Sequence, residues 1–240
     1  MARKPGYRRA SAGPGTNAGS AVRSRTATRN AIAPDHRAEV GTRAKRSAER
    51  RDAILTAALK EFSERGFAAT RLDDVARRAG VAKGTIYLHF ADKETLFQEL
   101  IRTELNPVVG ALVQASHTEV PVRAITEQLI ELFVREIHGT HRKDVIRLVL
   151  TEGPRFPALA EFYYREVIAR VMAAVRDLMR RAHERGEIRS DALRRFPQII
   201  AAPMVVAILW SALFDRFEPL DVRALLRAHF ELIFDDRRAP

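Results

Sequence analysis

The 240-residue chain contains no cysteine. Disulfides and thiolate metal sites are therefore excluded, and the composition suits a reducing compartment such as the cytoplasm. No apolar run approaches the roughly 18 residues that a membrane-spanning helix needs. The longest apolar stretch, residues 199–209, is short and carries Pro203. The N-terminal end is basic but lacks the apolar segment of a secretory signal.

Catalytic signatures are equally scarce. There is no His-Glu-x-x-His, no Gly-x-Ser-x-Gly, no phosphate-binding Walker loop and no dinucleotide glycine fingerprint. Seven histidines are scattered, and only His138 and His141 fall close together, around Gly139 at a helix end. Asp73 and Asp74 are adjacent, so on a helix they face different ways. No metal, no cofactor and no enzymatic activity is expected.

What is present is an ordinary folded composition, 46% hydrophobic, with an uneven charge. Residues 1–51 hold 13 of the 41 Lys and Arg and 3 of the 30 Asp and Glu, which accounts for nearly all of the net +11. Residues 1–46 are rich in Ala, Gly, Ser, Thr and Arg and cannot bury enough surface to offset the entropy of ordering. They read as a disordered basic arm able to attract DNA phosphates. A solubilising leader, or a start codon assigned too far upstream, explains the same composition.

The most informative stretch is 70–90. Leu72, Val75, Ala76 and Ala79 recur at helical spacing. Thr70 is placed to cap that helix, with Asp73 three residues on. Gly80 supplies a left-handed stop, and Val81 plugs the angle between two helices. Ile86 and Phe90 then point inward, leaving Lys83, Thr85, Tyr87 and His89 outward. Gly84 adds no side chain, so a backbone approach there is open. A helix-turn-helix presents the start of its second helix to the major groove while neighbouring side chains hold phosphates. Spacing alone fits a plain helical hairpin equally well, because such hairpins occur in many proteins that never touch DNA.

The residues themselves go further. Ala79-Gly80-Val81, then Lys83-Gly84-Thr85-Ile86-Tyr87, His89-Phe90 and Lys93-Glu94, resemble the signature of TetR/AcrR-type transcriptional regulators. So do Arg51 to Ala58 and Phe62-Ser63-Glu64-Arg65-Gly66-Phe67 upstream. The likeness covers about fifty residues, 48–100. Ala82 departs from it, since the family often has Ser there; the missing hydroxyl removes a cap typically worth ~1 kcal/mol. The resemblance implies an all-α fold: a three-helix DNA-binding head with a helix-turn-helix, joined to a C-terminal helical ligand-binding and dimerisation domain. It makes Lys93 a phosphate contact.

The expected division is an arm over 1–46, a DNA-binding head over 47–106, a ligand-binding and dimerisation domain over 107–235 and a tail over 236–240. Ser47 is expected to cap the first helix, Asp92 the fourth, and Pro107 to mark the boundary. DNA contacts are expected from Arg50, Thr70, Arg71, Lys83, Gly84, Thr85, Tyr87, His89 and Lys93. Beyond Pro107 the pattern is helical throughout, with no strand-like alternation. Its aromatic and polar ingredients for a small-molecule site are Phe133, Ile137, Arg147, Leu150, Phe156, Phe162, Tyr163, Met172 and Trp210; ordinary core packing accounts for any one of them. The last two helices are apolar on more than one stripe and need burial on two sides. The resemblance implies a two-fold interface there, for which Val206, Trp210, Leu213, Phe217, Leu225 and Phe230 are candidates.

These readings converge on a homodimeric transcriptional regulator, a ligand-responsive repressor of a palindromic double-stranded operator, with a small-molecule effector and no membrane partner. The main rival is a sequence-nonspecific architectural DNA-binding protein that acts through the basic arm.

Overall fold

The computed structural model describes residues 36–188 and 190–234, with side chains from Lys45 onward. The chain divides into two compact units, 1–41 and 42–240. The first is described only as the opening of a helix, and the architecture below is that of the second.

Every described element is helical. The order is α1 (His36–Ala69), α2 (Leu72–Ala79), α3 (Lys83–His89), α4 (Lys93–Ser116), α5 (Val122–Phe133), α6 (Arg142–Glu152), α7 (Pro157–Tyr163), α8 (Ala169–Glu184), α9 (Ala192–Arg195), α10 (Gln198–Leu213) and α11 (Val222–Ile233). Two π-helical turns interrupt this plan, at Val134–His138 after α5 and at Tyr164–Ile168 between α7 and α8. Sequence periodicity suggested unbroken helices at both places.

The first helix starts earlier than expected. Residues 36–46, read as part of the arm, are helical, so Ser47 lies inside α1 and caps nothing. The disorder expected of residues 1–35 and the tail at 236–240 lie outside the described residues. Near its end α1 breaks at Gly66 (φ 77, ψ 165), a left-handed conformation that favours glycine.

The head is built on Ile54, Ala58 and Phe62 from α1, Val75 from α2, Ile86 from α3, and Leu96 and Phe97 from α4, all essentially inaccessible. Phe62, Phe67 and Phe97 form an aromatic cluster, with ring centroids 5.3 to 5.5 Å apart. Ion pairs fasten α2 to α1. Arg78 Nε meets the buried Glu61 at 2.7 Å, its guanidinium also grips Glu64, and Arg65 bridges Glu61 and Asp74. Arg51 of α1 pairs with Glu99 of α4.

Asp92 caps α4 as expected, accepting from the Thr95 N–H at 2.7 Å. Pro107 does not end it. The proline sits inside a continuous α4, although an internal proline removes one hydrogen bond and crowds the preceding turn, at a cost of ~3 kcal/mol. Leu105 and Val109, buried on either side of it, supply the packing that holds the helix together. The expected break between head and C-terminal portion is thus spanned by one helix.

Against α4 pack α6, α7 and α8, while α5 lies on α8 and α11, and α10 on α6 and α11, with a core that includes Ile130, Val145, Leu159, Met179 and Leu226. Among the described residues, no helix is long and apolar enough to cross a membrane.

Candidate nucleic-acid interface and ligand cavity

The turn between α2 and α3 follows from its residues. Gly80 takes φ 67 and ψ 29, and the Val81 N–H reaches back to the Ala76 carbonyl at 3.0 Å, the pattern of a glycine-stopped helix. Val81 packs against the core, and α3 restarts at once on Ala82, which offers no side-chain cap. With Ile86 and Phe90 buried beneath, one face of α3 is left bare. Tyr87 is 50% exposed and Leu88 84%.

Lys83 is exposed and its ammonium lies 2.8 Å from Asp73, which raises its pKa. Gly84, Arg50 and Arg71 are exposed, whereas Thr85 and His89 are half-buried at the edge of the face. Leu88 was missed by sequence reasoning. Its signal was its place between Tyr87 and His89, on the outward run of a helix whose inward positions were already filled.

Two expected DNA contacts have other partners. Thr70 is 2% exposed, and its hydroxyl donates to the carbonyls of Gly66 at 2.8 Å and Glu61 at 3.2 Å. It neither caps α2, whose N-cap is Arg71, nor faces solvent. The broken end of α1 leaves carbonyls unpaired, and Thr70 is turned in to satisfy them. Lys93 does related work. Its ammonium donates to Phe67 O at 3.1 Å and Ala68 O at 3.0 Å, and sits 4.7 Å from the centre of the Phe67 ring.

A cavity of about 190 Å³ lies among α4, α5, α8 and α10. Of the nine residues proposed from the sequence for a small-molecule site, Phe133, Ile137, Tyr163 and Met172 line it. The other five candidates do not. Phe156 packs edge-on against Phe67 at 4.8 Å. The Phe162 ring lies near the guanidinium groups of Arg102 and Arg165, 4.8 and 5.7 Å from its centre. Leu150 is exposed, and the Trp210 indole N–H donates to Glu218 O at 2.8 Å. Arg147 pairs with Asp144 at 3.3 Å and borders a separate polar hollow with Lys143 and Ser211. Sequence periodicity identifies an inner face but not which inner residues border a void.

The apolar face expected at the end of the chain is real but differently composed. Val206, Leu213 and Phe217 are exposed, Phe217 by 71%, and Phe214 and Val205 join them. Leu225 is partly buried against the core. Phe230, expected at an interface, is 4% exposed and borders the cavity instead.

Among the described residues, a short α3 left bare beyond a glycine turn, on a helical head joined to a helical body with an apolar cavity, gives the form of a helix-turn-helix DNA-binding regulator. Comparison with known proteins makes that specific. Residues 54–100 match the bacterial regulatory proteins of the tetR family, and residues 122–228 match the tetracyclin repressor-like C-terminal domain. The HTH-type transcriptional repressor BepR of Brucella suis is 32% identical over 151 residues, covering 60% of this chain and 71% of that protein. Among solved structures, the SmeT–triclosan complex superimposes with a TM-score of 0.66 at 19% identity, over 80% of this chain and 95% of that one. FadR of Bacillus subtilis in complex with stearoyl-CoA gives 0.60 at 19%, over 76% and 97%. The chain belongs to the TetR family of transcriptional regulators.

Proposed function

We propose that this protein is a ligand-responsive repressor that binds a palindromic operator as a homodimer. The observation that carries the reading is α3, where Lys83, Tyr87 and Leu88 stand exposed on a helix anchored from below by Ile86 and Phe90. Thr85 and Tyr87 read base edges, and Leu88 offers apolar contact to a thymine methyl. Lys83, His89, Arg50 and Arg71 hold phosphates. The repressor role follows the relative BepR.

A second copy covers the exposed Val206, Leu213 and Phe217 of α10 and the segment after it, setting two heads at one helical turn of DNA, about 34 Å, or a multiple. An effector in the cavity prefers a state whose heads are wrongly spaced and so weakens operator binding.

Titration of the full chain against its own upstream DNA and against random DNA, at fixed salt, tests this. Selective binding by a dimer that survives removal of residues 1–46 supports it. Unselective binding that is lost with the arm favours the architectural alternative, which the concentration of charge in residues 1–51 supports.

A further inference from the structure

The cavity's lining is chemically one-sided. It carries no Asp, Glu, Lys, Arg or His, and the one polar side chain that borders it is Tyr163. Tyr163 is 8% exposed, and its hydroxyl has no hydrogen-bond partner among the described residues. Burial pushes the phenol's pKa well up, with no hydrogen bond or charge contributing. The hydroxyl is unpaired yet not fully enclosed, so it stays open to a partner, and Tyr163 is the one polar handle on an apolar lining.

Both π-helical turns deliver side chains to this chamber, Ile137 from the first and Val167 and Ile168 from the second. Such turns are rare and occur frequently at functional sites. Met172, Met179 and Met204, every methionine of the chain except the first, also border it. Thioether side chains adapt to the shape of what they enclose. An engineered apolar cavity of about 150 Å³ takes up benzene, and this one is somewhat larger.

We propose that the effector is an uncharged, mostly apolar molecule about the size of a small substituted benzene, whose single hydrogen-bonding group pairs with the Tyr163 hydroxyl. A carboxylate or ammonium would lose its hydration to a lining with no counter-charge, which is prohibitive. The inference rests on the ligand-responsive reading above and narrows it.

Calorimetric titration tests it with three molecules of one shape: propylbenzene, 4-propylphenol and 4-propylbenzoate, at about pH 8, where only the last is ionised. The full chain binds 4-propylphenol about three- to tenfold more tightly than propylbenzene, and binds the benzoate roughly a hundredfold or more weakly than the phenol. Tyr163→Phe, which keeps the ring, abolishes the phenol's advantage and leaves propylbenzene unchanged. Val171→Trp fills the chamber and abolishes binding of all three.

Benzoate binding as tight as the phenol's overturns the proposal. So does a phenol advantage that persists in Tyr163→Phe, binding that persists in Val171→Trp, or a failure of all three to bind the wild type. Operator release is read separately. Binding of 4-propylphenol without release keeps the chemistry of the chamber and overturns the ligand-responsive reading. Release by a charged molecule that ignores Tyr163 keeps that reading and overturns this inference.

Discussion

The ring of Phe67 meets the ring of Phe156 edge-on, with centroids 4.8 Å apart and planes at 71°. Phe67 directly follows the break in α1 and belongs to the aromatic cluster of the head, while Phe156 sits at the start of α7. The contact therefore joins the head to the C-terminal helical body beside the start of α4, whose Lys93 and Phe97 also meet the Phe67 ring. Truncation of Phe156 to alanine is expected to cost about 2 kcal/mol, less than a fully buried phenylalanine because the ring is half-buried. Operator affinity should change little, but the drop in affinity on effector binding should shrink. Denaturant titration reads the first effect and operator binding with and without effector the second; an undiminished effector response would remove Phe156 from the coupling path.

Gly66 makes a second contact across the same seam. A Cβ added there would lie 2.7 Å from Glu152 Oε1, at a φ of 77 that is strained for other residues. Gly66→Ala should therefore destabilise by about 1–3 kcal/mol. Combining it with Glu152→Ala should recover the steric part and leave the backbone part. A double-mutant cycle on unfolding free energy separates the two, and full additivity would show that no clash exists.

Lys83 is held by Asp73. If Lys83 grips a phosphate, it must leave that partner, so Asp73→Asn should tighten DNA binding by a few-fold, a change within the modest worth of an exposed ion pair. Lys83→Ala should flatten the dependence of log affinity on log salt by about 0.9. An unaltered salt slope would take Lys83 off the phosphate list.

Lys93 is expected to act first on stability. With its ammonium on the last carbonyls of α1 and over the Phe67 ring, Lys93→Met should lower stability by about 1 kcal/mol while keeping the aliphatic stem. Thermal melting checks it. A salt slope lowered by about one unit with no change in stability would instead support the phosphate role.

His138 gives the protein an acid limit. Its Nε2 lies 2.6 Å from Ser211 Oγ, and that hydroxyl donates to Ala207 O, so the imidazole is the donor to Ser211. Burial first, and Lys143 second, hold its pKa below 6.5; His229 is lowered by burial as well. A histidine that resists protonation when folded leaves stability intact above the unfolded pKa and withdraws it as pH falls from about 6.5 toward the folded value. Melting temperature should decline over that interval, and His138→Gln should soften the decline. A decline confined to the carboxylate range would show that His138 does not contribute.

Much of the head was legible because its signals are local. Gly80 stops a helix by its own conformation, Asp92 caps by its own side chain, and Ile86 and Phe90 are four apart on a short helix. Thr70 was misread because the carbonyls it satisfies belong to α1, and the break that exposes them is visible only once Gly66 has folded. Pro107 was misread because its cost is local whereas the compensating burial of Leu105 and Val109 is tertiary. In the body, the inner faces were legible, but whether an inner residue borders a void, another helix or solvent depends on how helices meet. Phe230 and Phe156 were misplaced for that reason.

The π turn at Tyr164–Ile168 has a consequence for chain length. Such a turn amounts to one residue more than a regular helix needs over the same span. A chain shortened by one residue there can still run on as one uninterrupted helix from Pro157 to Glu184. What lies beyond the deletion would keep its orientation, because the turn had absorbed the extra residue, and only the side chains of the turn itself, Val167 and Ile168 among them, would be re-aimed relative to Tyr163. Relatives that differ by that single residue would share this fold yet enclose a differently shaped space, which lets insertion and deletion change what such a regulator senses without altering the DNA it reads.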